Sequence, residues 1–207
     1  MTAYSSYVTD FPSRCGEILE EFRSPALEQG RDVTLLLSIS TAALTVPHER
    51  LKPRARPRHP LRDRERYPKT AEKYEELLRE PFLSSPLWRS RGVSTWKTGR
   101  IQDVQSGGPD TWRELRDARS MPPEERVGTV LRILRNALAH GNVFTEGKVI
   151  HNIVLLAKEW DSQAFSLISV SPRDFRKFTM NYICFVRGLD LDEVPVGGAP
   201  ANTGLAR

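Results

Sequence analysis

The residues best suited to chemistry lie in one short run: Arg135-Asn136-Ala137-Leu138-Ala139-His140, followed by Gly141-Asn142. A guanidinium can grip a phosphate or carboxylate through two parallel hydrogen bonds. An imidazole, with an unperturbed pKa of about 6.5, can take or give a proton near neutral pH. The spacing alone discriminates little, since this many Arg and His residues produce about 0.5 such pairs by chance. Arg54 and His59 have the same spacing, but Pro57 lies between them and keeps that pair out of a helix. The four histidines, His48, His59, His140 and His151, stand in no metal-ligand spacing with Cys, Asp or Glu, so no metal and no other cofactor is expected. No phosphate-binding glycine loop, dinucleotide fingerprint or nucleophile elbow is present.

The run needs a rigid carrier, and the local pattern supplies one. Val127, Val130, Leu131, Leu134 and Leu138 form an apolar stripe of helical period. The stripe predicts a helix from near Ser120 to His140. Pro122, Pro123, Glu124 and Glu125 suit its first turn, and Gly141 with Asn142 forms its stop. Two β-like runs follow, Val149 to Ala157 and Ala164 to Val170, joined by the polar bend Lys158-Glu159-Trp160-Asp161-Ser162, which predicts a hairpin. Ser171-Pro172-Arg173-Asp174 then opens a last helix in capping-box style, with Phe175, Phe178, Tyr182, Phe185 and Val186 on its buried face and Gly188 at its end.

Upstream, Cys15, Ile18, Leu19 and Phe22 predict a helix over Ser13–Phe22, and Asp32–Val46, apolar nearly all round, predicts a central buried helix closed by Pro47. Thr70–Leu83 and the short piece Trp112–Arg119 also read as helical. Residues 47–69 form a Pro/Arg-rich loop, with nine Lys/Arg against three acids between Glu49 and Lys69; this segment carries the basicity of a chain of net charge +5. Residues 189–207 read as a disordered tail, leaving 1–188 as one domain. Cys15 and Cys184 outline no disulfide framework, no apolar stretch reaches the ~20 residues a membrane helix needs, and no secretory signal opens the chain. A soluble cytoplasmic protein with no membrane partner is expected.

With these elements in place, Arg135, Asn136 and His140 match position for position the pattern Arg, polar residue, any three, His. The chain thereby resembles the HEPN superfamily (higher eukaryotes and prokaryotes nucleotide-binding). The continuation, His-Gly-Asn, an apolar hairpin and then Ser-Pro-x-Asp-Phe opening an aromatic helix, is similar to a plasmid- and defence-associated subfamily. The resemblance is specific from Leu131 to Val186. It implies a mainly α helical bundle with a β-hairpin before the C-terminal helix, often homodimeric, whose catalytic members are metal-independent endoribonucleases of toxin or antiphage systems.

On that reading Arg135 contacts the scissile phosphate, His140 is the general base or acid, and Asn136 orients His140 or the phosphate. The ribose 2′-OH attacks to leave a 2′,3′-cyclic phosphate. Arg132, Asn142 and the loop arginines Arg54, Arg56 and Arg58 are candidate RNA contacts. Arg135 and His140 lie about 140° apart around a helix, whereas Asn136 and His140 share a face, so a two-fold pairing would be needed to gather both motifs around one cleft. An antitoxin or regulatory protein is a further expected partner. Toxin members of the family often carry a Tyr two residues after the His, as an adenylylation site; this chain has Asn142 there. Two blander readings stand beside this one: a catalytically silent RNA- or protein-binding domain, and an Arg and a His that only complement the helix's negative end. The aromatic residues of the last helix read as core, Trp88, Trp96 and Trp112 as packed under a loop, and His151 as a structural residue of an apolar strand.

Overall fold

A computed structural model describes residues 3–52, 63–88, 94–102, 108–109, 112–160 and 162–191. In chain order the helices are α1 (Asp10–Glu21), α2 (Arg23–Glu28), α3 (Asp32–Leu51), α4 (Pro68–Arg79), α5 (Arg113–Arg116), α6 (Val127–His140) and α7 (Pro172–Arg187). The strands are β1 (Lys97–Ile101), β2 (Arg119–Ser120), β3 (Val143–Glu146), β4 (Asn152–Lys158) and β5 (Phe165–Val170). They form one antiparallel sheet in the order β2-β1-β5-β4-β3. A helical bundle is thus joined to a five-stranded sheet, and the architecture is mixed rather than mainly α.

The predicted hairpin is β4–β5, paired from Ile153 with Val170 to Lys158 with Phe165. Its near-continuous apolar sequence has a structural reason. Ile153, Leu155, Ala157, Ile168 and Val170 join the main core under the helices. Val154, Leu156 and Leu167 join a second cluster with Ile101, Trp112 and Leu115. A strand buried on both faces loses the apolar–polar alternation. Strands β1, β2 and β3 give weaker signals. β1 reads Lys-Thr-Gly-Arg-Ile and fully buries only Ile101; its neighbours on both sides, rather than its own pattern, define it.

Several boundaries move. Helix α6 begins at Val127, not near Ser120: Ser120 belongs to β2, and residues 125–127 use their backbone against the end of α4. The Phe82 N–H donates to the Glu125 carbonyl at 2.6 Å, and the Val127 N–H donates to the Glu80 carbonyl at 3.0 Å. Those bonds outcompete the favourable local entry at Pro122-Pro123. Helix α3 runs through Pro47 to Leu51, instead of stopping there. An interior proline costs about 3 kcal/mol, and full burial of Leu51 together with partners for His48 and Glu49 offsets it. Helix α7 starts as expected: the Asp174 N–H donates to the Ser171 hydroxyl at 3.2 Å, with Pro172 in the first turn.

Trp88, Trp96 and Trp112 are all buried, and Phe175, Phe178 and Tyr182 are fully so. Leu189 is buried and the Thr70 hydroxyl donates to the Asp190 carbonyl, so the packed unit passes Gly188. Arg54, Arg56, Arg58 and the tail from residue 192 lie outside the described residues. His151 precedes β4 in an exposed turn, its Nε2 3.7 Å from the Glu146 carboxylate, and so is not the strand residue expected. No helix among the described residues is long and apolar enough to cross a membrane.

Candidate RNA-contacting groove

Helix α6 buries Val127, Val130, Leu131, Ile133, Leu134 and Ala137 against the sheet and the neighbouring helices. That leaves two other directions for polar side chains. Arg132, Asn136 and His140 recur at i, i+4 and i+8, a stripe about 80° wide on one side. Arg135 lies about 100° from Asn136 and points elsewhere.

The stripe faces the end of the hairpin. Asn136, His140, Asn142, Ala157, Lys158 and Phe165 line a cavity of about 420 Å³. Arg132, Asn136, Lys158, Glu159, Trp160 and Ser166 line an adjoining one of about 690 Å³. Asn136 and Lys158 belong to both, so the two form one open groove. Arg132, Lys158 and His140 are exposed to solvent. Neither Arg132 nor Lys158 engages a carboxylate among the described residues. The acid of the groove, Glu159, is occupied by Arg100, whose Nε and Nη2 donate to it at 3.0 and 2.7 Å. Among the described residues the groove therefore presents two cations without a carboxylate partner, one imidazole and two side-chain amides.

Gly141 sets the far end. With φ at +68° it closes α6 in the left-handed conformation. The Asn142 N–H donates to the Ala137 carbonyl at 2.9 Å and the Gly141 N–H to that of Leu138 at 3.4 Å, the paired bonds of a Schellman stop. The chain then enters β3, and the Leu156 N–H donates to the Asn142 carbonyl at 3.0 Å. That sharp exit is what places Asn142 beside His140.

Arg135 belongs to a different, interior cluster. Its Nη2 donates to the Glu49 carboxylate on α3, its side chain is only 13% exposed, and its Nε is buried with no hydrogen-bond partner among the described residues. Nearby, His48 Nδ1 and the Tyr74 hydroxyl lie 2.9 Å apart, and the hydroxyls of Tyr74 and Tyr182 lie 3.0 Å apart. Burial, reinforced by the charges of Arg135 and Lys52, pushes the His48 imidazole down to about 3. Burial also raises the phenols of Tyr74 and Tyr182 well above their usual range. Within one chain, then, Asn136, His140, Asn142 and Arg132 come together, and Arg135 does not join them.

Two groove residues, Lys158 and Trp160, stand in the segment read from sequence only as a polar bend. The signal was a tryptophan among polar residues at a hairpin tip. A separate cavity of about 420 Å³, bordered by Leu19, Leu27, Leu36, Arg173, Arg176 and Met180, contains none of the motif residues. Among the described residues no group of three His, Cys, Asp or Glu could hold a metal.

A bundle whose motif helix carries Arg-Asn-x-x-x-His and whose last helix is aromatic defines the class, and comparison with known families agrees. The family described as HEPN pEK499 p136 matches residues 1–187, and the chain belongs to this HEPN family. The match fits the plasmid-associated subfamily expected from the residues. No curated protein and no solved structure matches the chain significantly. Membership supports a nucleotide-binding, RNase-type module.

Proposed function

We propose that this HEPN protein is a metal-independent endoribonuclease whose groove between α6 and the β4–β5 hairpin holds the scissile linkage. The observation that carries the reading is the exposed His140 beside Asn136 and Asn142, in a groove flanked by Arg132 and Lys158. His140 takes the proton from the ribose 2′-OH, the 2′-oxygen attacks phosphorus, and the bond to the 5′-oxygen breaks. The leaving oxygen is protonated, and the other product ends in a 2′,3′-cyclic phosphate. Arg132 and Lys158 stabilise the charge that grows on the phosphoryl oxygens. Arg135, held by Glu49, acts as a positioning residue that fixes α6 against α3. In a homodimer, the second copy would supply another His140 to act as the acid. A growth-arresting or antiphage role follows if the substrate is cellular RNA.

The test is incubation of the purified protein with RNA in EDTA. The expected outcome is cleavage to cyclic-phosphate ends, lost in His140→Ala at unchanged thermal stability because this side chain is exposed, and reduced at least tenfold in Arg132→Ala. Arg135→Met is expected to lower stability by about 1 kcal/mol or less, since Glu49 loses one cationic partner and keeps another, Lys52. Cleavage persisting unchanged in both groove variants sinks the proposal.

The engagement of Arg135 by Glu49 favours a second reading, a non-catalytic RNA-binding HEPN module. Wild-type protein that binds RNA through Arg132 and Lys158 but leaves it intact would establish that alternative.

A further inference from the structure

Trp160 is 92% exposed, whereas the chain's other tryptophans, Trp88, Trp96 and Trp112, are 4% exposed or less. It stands at the tip of the β4–β5 hairpin and lines the groove with Arg132 and Lys158. The tip is braced. The Glu159 N–H donates to the Ala164 carbonyl at 2.9 Å, the Ala164 N–H to the Ser162 hydroxyl at 3.0 Å, and the Ser166 hydroxyl to the Glu159 carboxylate at 3.2 Å. Arg100, on the neighbouring strand β1, clamps that same carboxylate. A large apolar ring held in water on a braced turn is costly for a chain to keep, and here it borders a groove with two cations that have no carboxylate partner among the described residues.

We infer that Trp160 is a stacking platform for an unpaired base, and that the groove takes single-stranded rather than duplex RNA. This rests on the RNA reading above and adds to it. A nucleotide satisfies both features, since it carries a π-face and an anionic phosphate in one residue. In a duplex the base faces are already stacked and out of reach of a side chain; in a single strand they are free. Arg132 and Lys158 then hold the flanking phosphates while the base lies on the indole. The concave groove, with its ring at one end, does not fit a flat lipid surface.

The experiment uses the full chain and a short RNA 2′-O-methylated throughout, which binds but cannot be cleaved, offered single-stranded or annealed to its complement. Because the other three tryptophans are buried, emission from a water-exposed indole reports Trp160. The single strand is expected to quench that emission and the duplex to leave it unchanged. Trp160→Ala should weaken single-strand binding about tenfold or more, with Trp160→Phe recovering most of it. If the single strand binds without quenching, and Trp160→Ala binds as well as wild type while Arg132→Glu and Lys158→Glu abolish binding, the platform is refuted and the RNA groove stands. Equal quenching by duplex refutes the strand preference. If no RNA binds the wild type, both readings fall. A blue shift that grows with protein concentration in the absence of RNA means that another copy of the chain covers Trp160, which also overturns the inference.

Discussion

His48 sits on the turn that α3 gains beyond Pro47, facing Tyr74 of α4, Arg135 of α6 and Lys52 just past the helix end. Held neutral by burial, it makes stability depend on pH with a definite sign. Its folded pKa, about 3, lies below the unfolded value near 6.5. Between those values the unfolded chain binds a proton that the folded chain refuses, so stability falls as pH drops from about 6.5 toward 3. Going from pH 7 to pH 5, His48 accounts for about 2 kcal/mol of lost stability. Urea unfolding of His48→Gln at the two pH values should show a shallower dependence than wild type; an identical dependence would mean the imidazole is not buried neutral. The same cluster explains why Arg135 and His140 face different surroundings. Five residues along a helix is too wide an arc for both to serve one surface of a single chain.

Helix α6 is aimed by its ends. Its start is fixed by the backbone bonds from Glu80 and Phe82, and its stop by Gly141. A Cβ on Gly141 meets nothing within 4 Å, so the whole cost of Gly141→Ala is the left-handed backbone, about 1 kcal/mol. Gly141→Asn should cost less, because Asn tolerates that conformation. Denaturant unfolding of the two variants checks this ranking; an Ala variant as stable as wild type would show that the Schellman stop is not what holds the turn. Much of this element was legible in advance. The apolar stripe from Val127 to Leu138 and the Gly-Asn stop depend on near neighbours, and both stand where the pattern put them. The start differs from the local pattern because Pro122-Pro123 and two glutamates make a good local opening, while the bonds that prevail come from a segment more than 40 residues upstream.

Taken whole, the molecule is a helical bundle with a sheet laid against α6, and its groove opens where helix and hairpin tip diverge. The Pro/Arg-rich segment adds a further expectation. If Arg54, Arg56 and Arg58 track an RNA backbone, replacing all three with Ser removes three phosphate contacts. The slope of log affinity against log salt should then become shallower by about 2 for a single strand, with base preference unchanged. An unaltered slope would make the segment a solvated linker. The strain of Pro47 within α3 is also answered at this scale, since only the assembled core offers Leu51 a place to be buried.

Local order along the chain was enough to identify the motif, its helix, the cap after it, the hairpin and the family, because helical period, capping and turn chemistry act over a few residues. It was also enough to put Asn136 and His140 on one face. Which way Arg135 turns, that a sheet of five strands exists, and that Trp160 borders the motif were decided only by the fold. Those features arise from partners far apart in sequence: Glu49 meets Arg135 across 86 residues, and Arg100 meets Glu159 across 59. No local pattern encodes a partner at that distance; the packing of the whole core selects it.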